Sequence, residues 1–201
     1  MKLYLASASP RRAELMKILP YPFEIHIPDF DERAYERDVR SGTSPDEIDP
    51  SRLTLEIAKG KAAQAFLELK EMRGGEDFLV LSADTVVVLD GMILGKGENR
   101  EKSLRMLRKL NGKTHEVITA VCLVGKDICE CFADTSAVSF GMTEETWLER
   151  YVDSERPFDK AGAYGIQDGG ALFVEKIEGS YHNIMGLPVR TVFQMLRKYM
   201  E

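Results

Sequence analysis

The chain has few cysteines, no long apolar run and no excess of basic residues, and each shortage excludes a class of protein. Its three cysteines, Cys122, Cys129 and Cys131, are odd in number and lie in strand-like sequence. We therefore expect no disulfide framework, and the Cys-x-Cys pair alone is a weak zinc signal. No stretch reaches the ~18 apolar residues of a membrane helix. The N-terminal apolar stretch is too short for a signal peptide, so a cytoplasmic protein is expected.

Two nucleotide-binding signatures are also missing. The sequence contains neither a Walker A lysine loop nor a G-x-G-x-x-G motif, which disfavours a P-loop NTPase and a dinucleotide enzyme. A net charge of −6 argues against binding to a nucleic acid polymer, which usually requires a basic excess. A local basic pocket for a small anion remains compatible with an acidic protein. The 201 residues, 44% of them hydrophobic, fit one soluble domain spanning 1–201.

Apolar periodicity predicts intermixed strands and helices, and hence an α/β fold with a mixed sheet. The polar segment 28–51, with Gly42, Pro45 and Pro50, is expected to be a long loop. Strands are predicted at 2–6, 23–27, 78–89, 92–94, 115–124, 128–140 and 171–177, and helices at 10–19, 53–73, 99–110, 143–152 and 188–199.

The segment from Ser7 to Arg12 joins the first strand to the first helix and is a candidate anion site. Free backbone N–H groups and the helix dipole favour an anion at such a junction. Ser7, Ser9, Arg11 and Arg12 add the hydroxyl and guanidinium donors that a polyphosphate needs. Read alone, the segment favours the alternative of a capped helix with two solvated arginines, because such helix caps are common.

Carboxylates supply the second kind of candidate. Asp84 lies within the apolar strand 78–89, where a charge is costly unless it is paired or binds a metal. An aspartate at a bulge that reaches solvent is the alternative. Asp31 and Glu32 follow the second strand and have the chemistry that Mg²⁺ or Mn²⁺ requires, although two loop acids are usually just solvated. Lys61 and Lys96 would ordinarily be exposed lysines.

A glycine-rich stretch runs from Asp159 to Gln167. Its small residues would let the backbone approach a flat ligand, and the amide of Gln167 could read the edge of a base. A purely structural turn is the alternative.

Taken together, these segments resemble the Maf family of nucleotide pyrophosphatases. They occur in the family's order and cover nearly the whole chain. The matching segments are 7–12, 31–32, 58–62, 83–86, 112–117, 159–167, 179–181 and 186–188. The resemblance implies an elongated mixed sheet flanked by helices, with two lobes and a central cleft, similar to the inosine triphosphate pyrophosphatase fold.

The resemblance also implies metal-dependent hydrolysis between the α- and β-phosphates of a nucleotide. Asp84 would be the general base or metal-linked acid, and Glu32 would help to hold Mg²⁺ or Mn²⁺. Ser7, Arg12, Lys61 and Lys96 would bind the phosphates. The expected partner is a small nucleotide, with no nucleic acid polymer and no membrane, and a homodimer is left open.

Substrate preference divides this family. One branch prefers dTTP and UTP and another prefers 7-methyl-GTP; Arg11, Thr85 and Gln167 resemble the dTTP/UTP branch. His115 and Tyr164 belong to the same motifs, and His115 is expected to be a bonded structural histidine. The alternatives are a pyrophosphatase for modified nucleotides and a nucleotide-binding regulator of septum formation.

Two features depart from the family pattern. Gly97 follows Lys96 where the family usually has proline, so that loop is expected to be looser. The segment between Glu32 and Lys61 is longer than expected, and its extra residues around 41–51 would form a lid or be idle.

Overall fold

A computed structural model describes residues 1–41 and 49–201. The predicted α/β class with a mixed sheet is confirmed. Seven strands form one sheet in the order β2-β1-β3-β5-β6-β7, with β4 paired to β3. The strands are β1 (Lys2–Ala6), β2 (Glu24–Ile25), β3 (Phe78–Leu89), β4 (Met92–Leu94), β5 (Thr114–Gly125), β6 (Ile128–Phe140) and β7 (Val174–Glu178).

The sheet combines parallel and antiparallel pairing. β1 is parallel to both β2 and β3, with Tyr4 opposite Val80. β4 and β7 pair antiparallel with β3 and β6. The helices are α1 (Pro10–Met16), α2 (Glu32–Arg40), α3 (Pro50–Arg73), α4 (Arg100–Leu110), α5 (Glu145–Glu155), α6 (Tyr181–Ile184) and α7 (Val189–Met200).

The long helix α3 shows how closely local sequence can determine an element. Asp49 caps its start by accepting hydrogen bonds from the N–H groups of Ser51 and Arg52, and Pro50 occupies the first turn. An apolar stripe with helical period is buried along it, which accounts for its docking on the sheet. The helix ends at Gly74, whose φ of 65° favours glycine.

The chain forms two compact units. One comprises residues 1–84, 119–134 and 186–201, and the other comprises residues 85–118 and 135–185. Each unit has its own apolar core: Tyr4, Leu69 and Phe78 belong to the first, and Leu104 and Phe173 belong to the second. No helix in the described part of the chain is long and apolar enough to cross a membrane.

Several local predictions were wrong. The predicted loop 28–51 contains helix α2, because Asp31 caps it with a hydrogen bond from Ala34 N–H at 2.9 Å. The predicted strand 171–177 begins as a 3₁₀ helix, Gly169–Phe173, and α6 was not predicted. The lid prediction around 41–51 falls largely on residues outside the described ranges.

The sequence predicted no disulfide framework, and it did not predict the one cysteine pair that the structure bonds. The structure joins Cys122 on β5 to Cys131 on β6 in a disulfide, with their Cα atoms 4.1 Å apart. A two-residue turn connects these strands, so the hairpin places two residues that are nine apart in sequence opposite each other.

Candidate active site

Asp84 lies within β3 and is only 8% exposed. An ionised carboxylate at such a position needs a partner, because burial removes its hydration. Lys61 supplies it: its Nζ lies 2.7 Å from Asp84 Oδ1. Two residues earlier on the same face of β3, Ser82 Oγ donates to the Ala58 carbonyl at 2.5 Å, which ties this strand to α3. Asp84 is therefore a paired, buried carboxylate rather than an aspartate that reaches solvent.

Lys61 bridges two carboxylates. Its Nζ also lies 2.6 Å from Glu32 Oε2, and its side chain is only 15% exposed. The side chains of Asp84 and Glu32 are 11% and 39% exposed, respectively. Two acids of like charge gather at one point because a single ammonium lies between them. The ordinary expectation for a lysine, full exposure, does not hold at this position.

Glu32 reaches Lys61 through a close approach of α2 to α3. Glu32 is the first residue of α2, and the aromatic rings of Phe30 and Tyr35 flank it in sequence. Both rings lie on Gly60 of α3. A Cβ at Gly60 would lie 2.8 Å from Tyr35 Cζ and 2.9 Å from Phe30 Cζ. Because residue 60 is glycine, the segment that carries Glu32 can approach Lys61, the residue that follows Gly60.

The segment after β1 carries the donor groups. Ser7 Oγ accepts hydrogen bonds from the N–H of Ser9 at 3.1 Å and from Arg12 Nη1 at 3.4 Å. Arg12 Nε donates to the Gly186 carbonyl at 2.9 Å, which connects two segments 174 residues apart. Ser9 is the N-cap of α1, and Pro10 begins the helix as predicted, although the Ser9 side chain forms no cap hydrogen bond.

Electrostatics place Arg12 in the same group as the acids. Burial lowers the pKa of Arg12 from its ordinary value, and repulsion from Arg11 acts in the same direction. Attraction to Asp84 and Glu32 opposes both effects. The first unit thus brings together Ser7, Arg12, Glu32, Lys61 and Asp84.

Of the remaining predicted residues, Arg11 also lies in the first unit, and Thr85, Lys96 and Gln167 lie in the second. Lys96 forms an isolated antiparallel bridge with Ala161. The backbone also bonds from Gly162 N–H to the Gly95 carbonyl at 3.1 Å, and from Glu98 N–H to the Phe158 carbonyl at 2.8 Å. These bonds hold Lys96 beside the glycine-rich stretch, so the loop expected to be loose is tied on both sides.

The glycine-rich stretch has a rigid frame of its own. Tyr151 OH accepts from Gly165 N–H at 3.0 Å and donates to Asp168 Oδ1 at 3.1 Å, and Lys160 pairs with Asp168. Gly162, at φ 64°, packs so close to Val87 that a Cβ would meet the valine at 3.0 Å. Gln167 is exposed at the end of this frame. Sequence analysis missed Tyr151 and Asp168, and no motif in their immediate sequence identifies them.

His115 lies in the core of the second unit and is 2% exposed. Its Nε2 is 2.8 Å from Tyr164 OH, and its ring packs edge-on against Phe140. Burial lowers its pKa to about 4, so the ring is neutral at physiological pH. These contacts are those of the bonded structural histidine that the sequence favoured.

Comparison with known proteins identifies the family. A sequence profile described as Maf-like protein matches residues 2–199. The chain belongs to the Maf family. A Maf relative named dTTP/UTP pyrophosphatase in Thermotoga maritima is 43% identical over 98% of this chain and 88% of the relative. Relatives of the same name in Carboxydothermus hydrogenoformans and Porphyromonas gingivalis are 40% and 39% identical, covering 99% and 100% of this chain and 99% and 95% of their own.

A solved structure supports the fold of this Maf chain. The Staphylococcus aureus Ham1 protein covers 98% of the chain and is itself covered to 99%, with a TM-score of 0.52. At 13% identity this likeness concerns the fold alone, which agrees with the fold class expected from the motifs.

Proposed function

We propose that this Maf chain hydrolyses nucleoside triphosphates, with dTTP and UTP preferred, to a nucleoside monophosphate and pyrophosphate. The observation that carries the proposal is the bridge from Lys61 to Glu32 and Asp84, with Ser7 and Arg12 in the same unit. Such a group combines carboxylates for a water and a cation with donors for phosphate oxygens. The names of the relatives in three bacteria support the same activity.

The carboxylates fit a divalent cation. Mg²⁺ and Mn²⁺ prefer oxygen ligands and bind through one or two carboxylates, completing their shell with water and substrate phosphates. Glu32 and Asp84 offer that donor set, and Lys61 already holds them at a common point. When bound, the cation would disperse the negative charge of the phosphate oxygens.

The residues then divide the reaction between them. Asp84 orients the attacking water and accepts its proton. The water oxygen forms a bond to the α-phosphorus, and the bond from that phosphorus to the bridging oxygen breaks, releasing pyrophosphate. Ser7 and Arg12 donate hydrogen bonds to the phosphates, and Lys61 balances the charge of both acids. Lys96 is assigned to the leaving pyrophosphate on the family resemblance.

Base selection is assigned to Arg11, Thr85 and Gln167. A uracil or thymine ring offers two carbonyl acceptors and one N–H donor. The amide of Gln167 can satisfy a carbonyl and that N–H together, whereas Arg11 can only donate. Cytosine reverses the pattern at two positions, so CTP should be a poor substrate. We place this activity in the cytoplasmic nucleotide pool and leave open whether the chain forms a homodimer.

The test is product analysis with Mg²⁺ or Mn²⁺ across dTTP, UTP, CTP, GTP and 7-methyl-GTP. Pyrophosphate and a monophosphate are expected; orthophosphate and a diphosphate would place the cut at the γ-phosphate and refute the mechanism. Asp84→Asn should lower turnover by ~10²-fold or more, as removal of a general base does. Asp90→Asn is the matched control, because Asp90 lies exposed just after the same strand. Binding without turnover in the wild type would favour the septum regulator instead.

A further inference from the structure

The hairpin of β5 and β6 collects all three cysteines of the chain on one face. Cys129 and Cys131 are two residues apart on β6 and therefore point the same way, while Cys122 reaches them from β5. The sulfur atoms all lie within 4.8 Å of one another. Among residues 1–41 and 49–201, this is the one place where three His, Cys, Asp or Glu side chains bring their ligand atoms this close together.

The surroundings of the cluster favour a soft ligand. Cys122 and Cys131 pack against Ala58 and Ala62 of α3, in a small apolar cluster. The intervening Glu130 points to the other face, where it bonds Lys198 and Tyr199 of α7. The carboxylate of Glu130, the residue between the two cysteines, therefore lies on the opposite face of β6 from their sulfur atoms. The apolar side chains beside the sulfurs form no hydrogen bonds with them.

Burial grades across the cluster from inside to outside. Cys122 is buried, Cys131 is intermediate and Cys129 is exposed. An ion can therefore enter from the Cys129 side and be held against the hairpin by the two inner sulfurs. Metal–sulfur bonds of about 2.3 Å separate the sulfurs of a shared ion by roughly 3.7–4 Å, which the observed limit of 4.8 Å accommodates.

We propose that the reduced hairpin binds one thiophilic cation of the zinc class through Cys122, Cys129 and Cys131. Three thiolates leave one position for water, a set that zinc accepts. On binding, each thiol gives up its proton to solvent and forms one sulfur–metal bond. The ion and the Cys122–Cys131 disulfide exclude each other, because the same two sulfurs cannot form both. The three sulfur ligands share no residue with the two carboxylates that would hold magnesium.

The test uses the full chain, fully reduced and free of oxygen, with Co²⁺ as a coloured probe and Zn²⁺ as its competitor. One equivalent of Co²⁺ per chain should produce thiolate-to-metal absorption, and Zn²⁺ should abolish that absorption and slow alkylation of all three thiols. Cys129→Ser should weaken Zn²⁺ binding by ~10²-fold or more. Removing a direct metal ligand should lower the affinity more than removing a group that only hydrogen-bonds to a ligand. Cys129 is exposed, so this variant should fold.

Thr135→Ser is the matched control: it introduces a serine at an exposed position of β6 and leaves every thiol in place. It should bind Zn²⁺ like the wild type. Absence of the charge-transfer absorption in the reduced wild type would overturn the proposal. Equal Zn²⁺ affinity in Cys129→Ser and the wild type would overturn it as well, because the three-thiolate set requires that sulfur.

Discussion

Gly60→Ala tests how the fold positions its candidate acids. The new Cβ would lie 2.8 Å from Tyr35 Cζ and 2.9 Å from Phe30 Cζ. Carbon atoms in contact prefer about 3.5 Å or more, so the two rings must retreat by roughly 0.6–0.7 Å. Glu32 lies between these two residues in sequence and forms a 2.6 Å ion pair with Lys61, so the displacement falls on the segment that holds this acid.

Stability and activity should respond unequally to this change. Replacing a glycine within a helix by alanine favours the helix by about 1 kcal/mol, while overpacking costs about 1–3 kcal/mol. The net loss of stability should therefore be small, roughly 0–2 kcal/mol. Activity should fall roughly tenfold to a hundredfold, because displacement of a positioned group by less than 1 Å disturbs the alignment of the reacting atoms.

The assay compares kcat/KM for dTTP, its dependence on Mg²⁺ and the urea midpoint of unfolding in three proteins. Gly75→Ala is the matched control, since the same substitution there meets nothing within 4 Å. It should leave kcat/KM unchanged. If Gly60→Ala retained the activity of the Gly75→Ala control, the rings would have turned aside without moving Glu32, and the role assigned to Gly60 would be refuted.

Three further perturbations address the metal, the base and the core. Glu32→Gln should raise the Mg²⁺ concentration for half-maximal activity, because carboxylate charge sets affinity for a hard cation; an unchanged titration would leave Glu32 an ordinary acid. Gln167→Glu should lower kcat/KM for dTTP and UTP with little change in Tm, because each lost hydrogen bond to the base should cost about 1–3 kcal/mol of binding free energy. Unchanged selectivity among the nucleotides would contradict the assignment of Gln167 to base recognition. The pKa of His115 is about 4 in the folded protein, against 6.5 normally. As the pH falls, His115 is therefore protonated in the unfolded chain at a higher pH than in the folded protein. The free energy of unfolding should therefore drop by roughly 2 kcal/mol between pH 7 and 5. In urea unfolding, His115→Gln should show a weaker dependence of this free energy on pH. If the wild type and His115→Gln lost stability equally between pH 7 and 5, His115 would not be the cause.

Most of the fold followed from patterns within single segments. Alternation and β-branched runs predicted β3, β5 and β6 nearly to their ends, and the predicted end of the helix at residue 73 matches the end of α3. The segment containing α2 was misread, because its glycine and prolines suggested a loop while the capping role of Asp31 was overlooked. The disulfide was missed since sequence spacing does not reveal which strand positions face each other.

The candidate site was recognised only as an ordered set of weak signals. Asp84 attracted attention because a charge in an apolar strand needs an explanation, whereas Lys61 had no local feature that distinguishes it from a surface lysine. The ordered motifs nonetheless predicted the family, which the comparisons confirm. The roles assigned to the individual residues stay predictions that the substitutions above are designed to test.

The sequence by itself determined most of the element types, the two kinds of candidate group and the family, because periodicity and motif order are properties of the chain alone. Only the tertiary structure decided that Lys61 lies between Glu32 and Asp84, and that Arg12 bonds the Gly186 carbonyl. The first of these pairings depends on the packing of α2 against Gly60, next to Lys61. Contacts between distant segments arise from the folded backbone as a whole, so no local pattern encodes them.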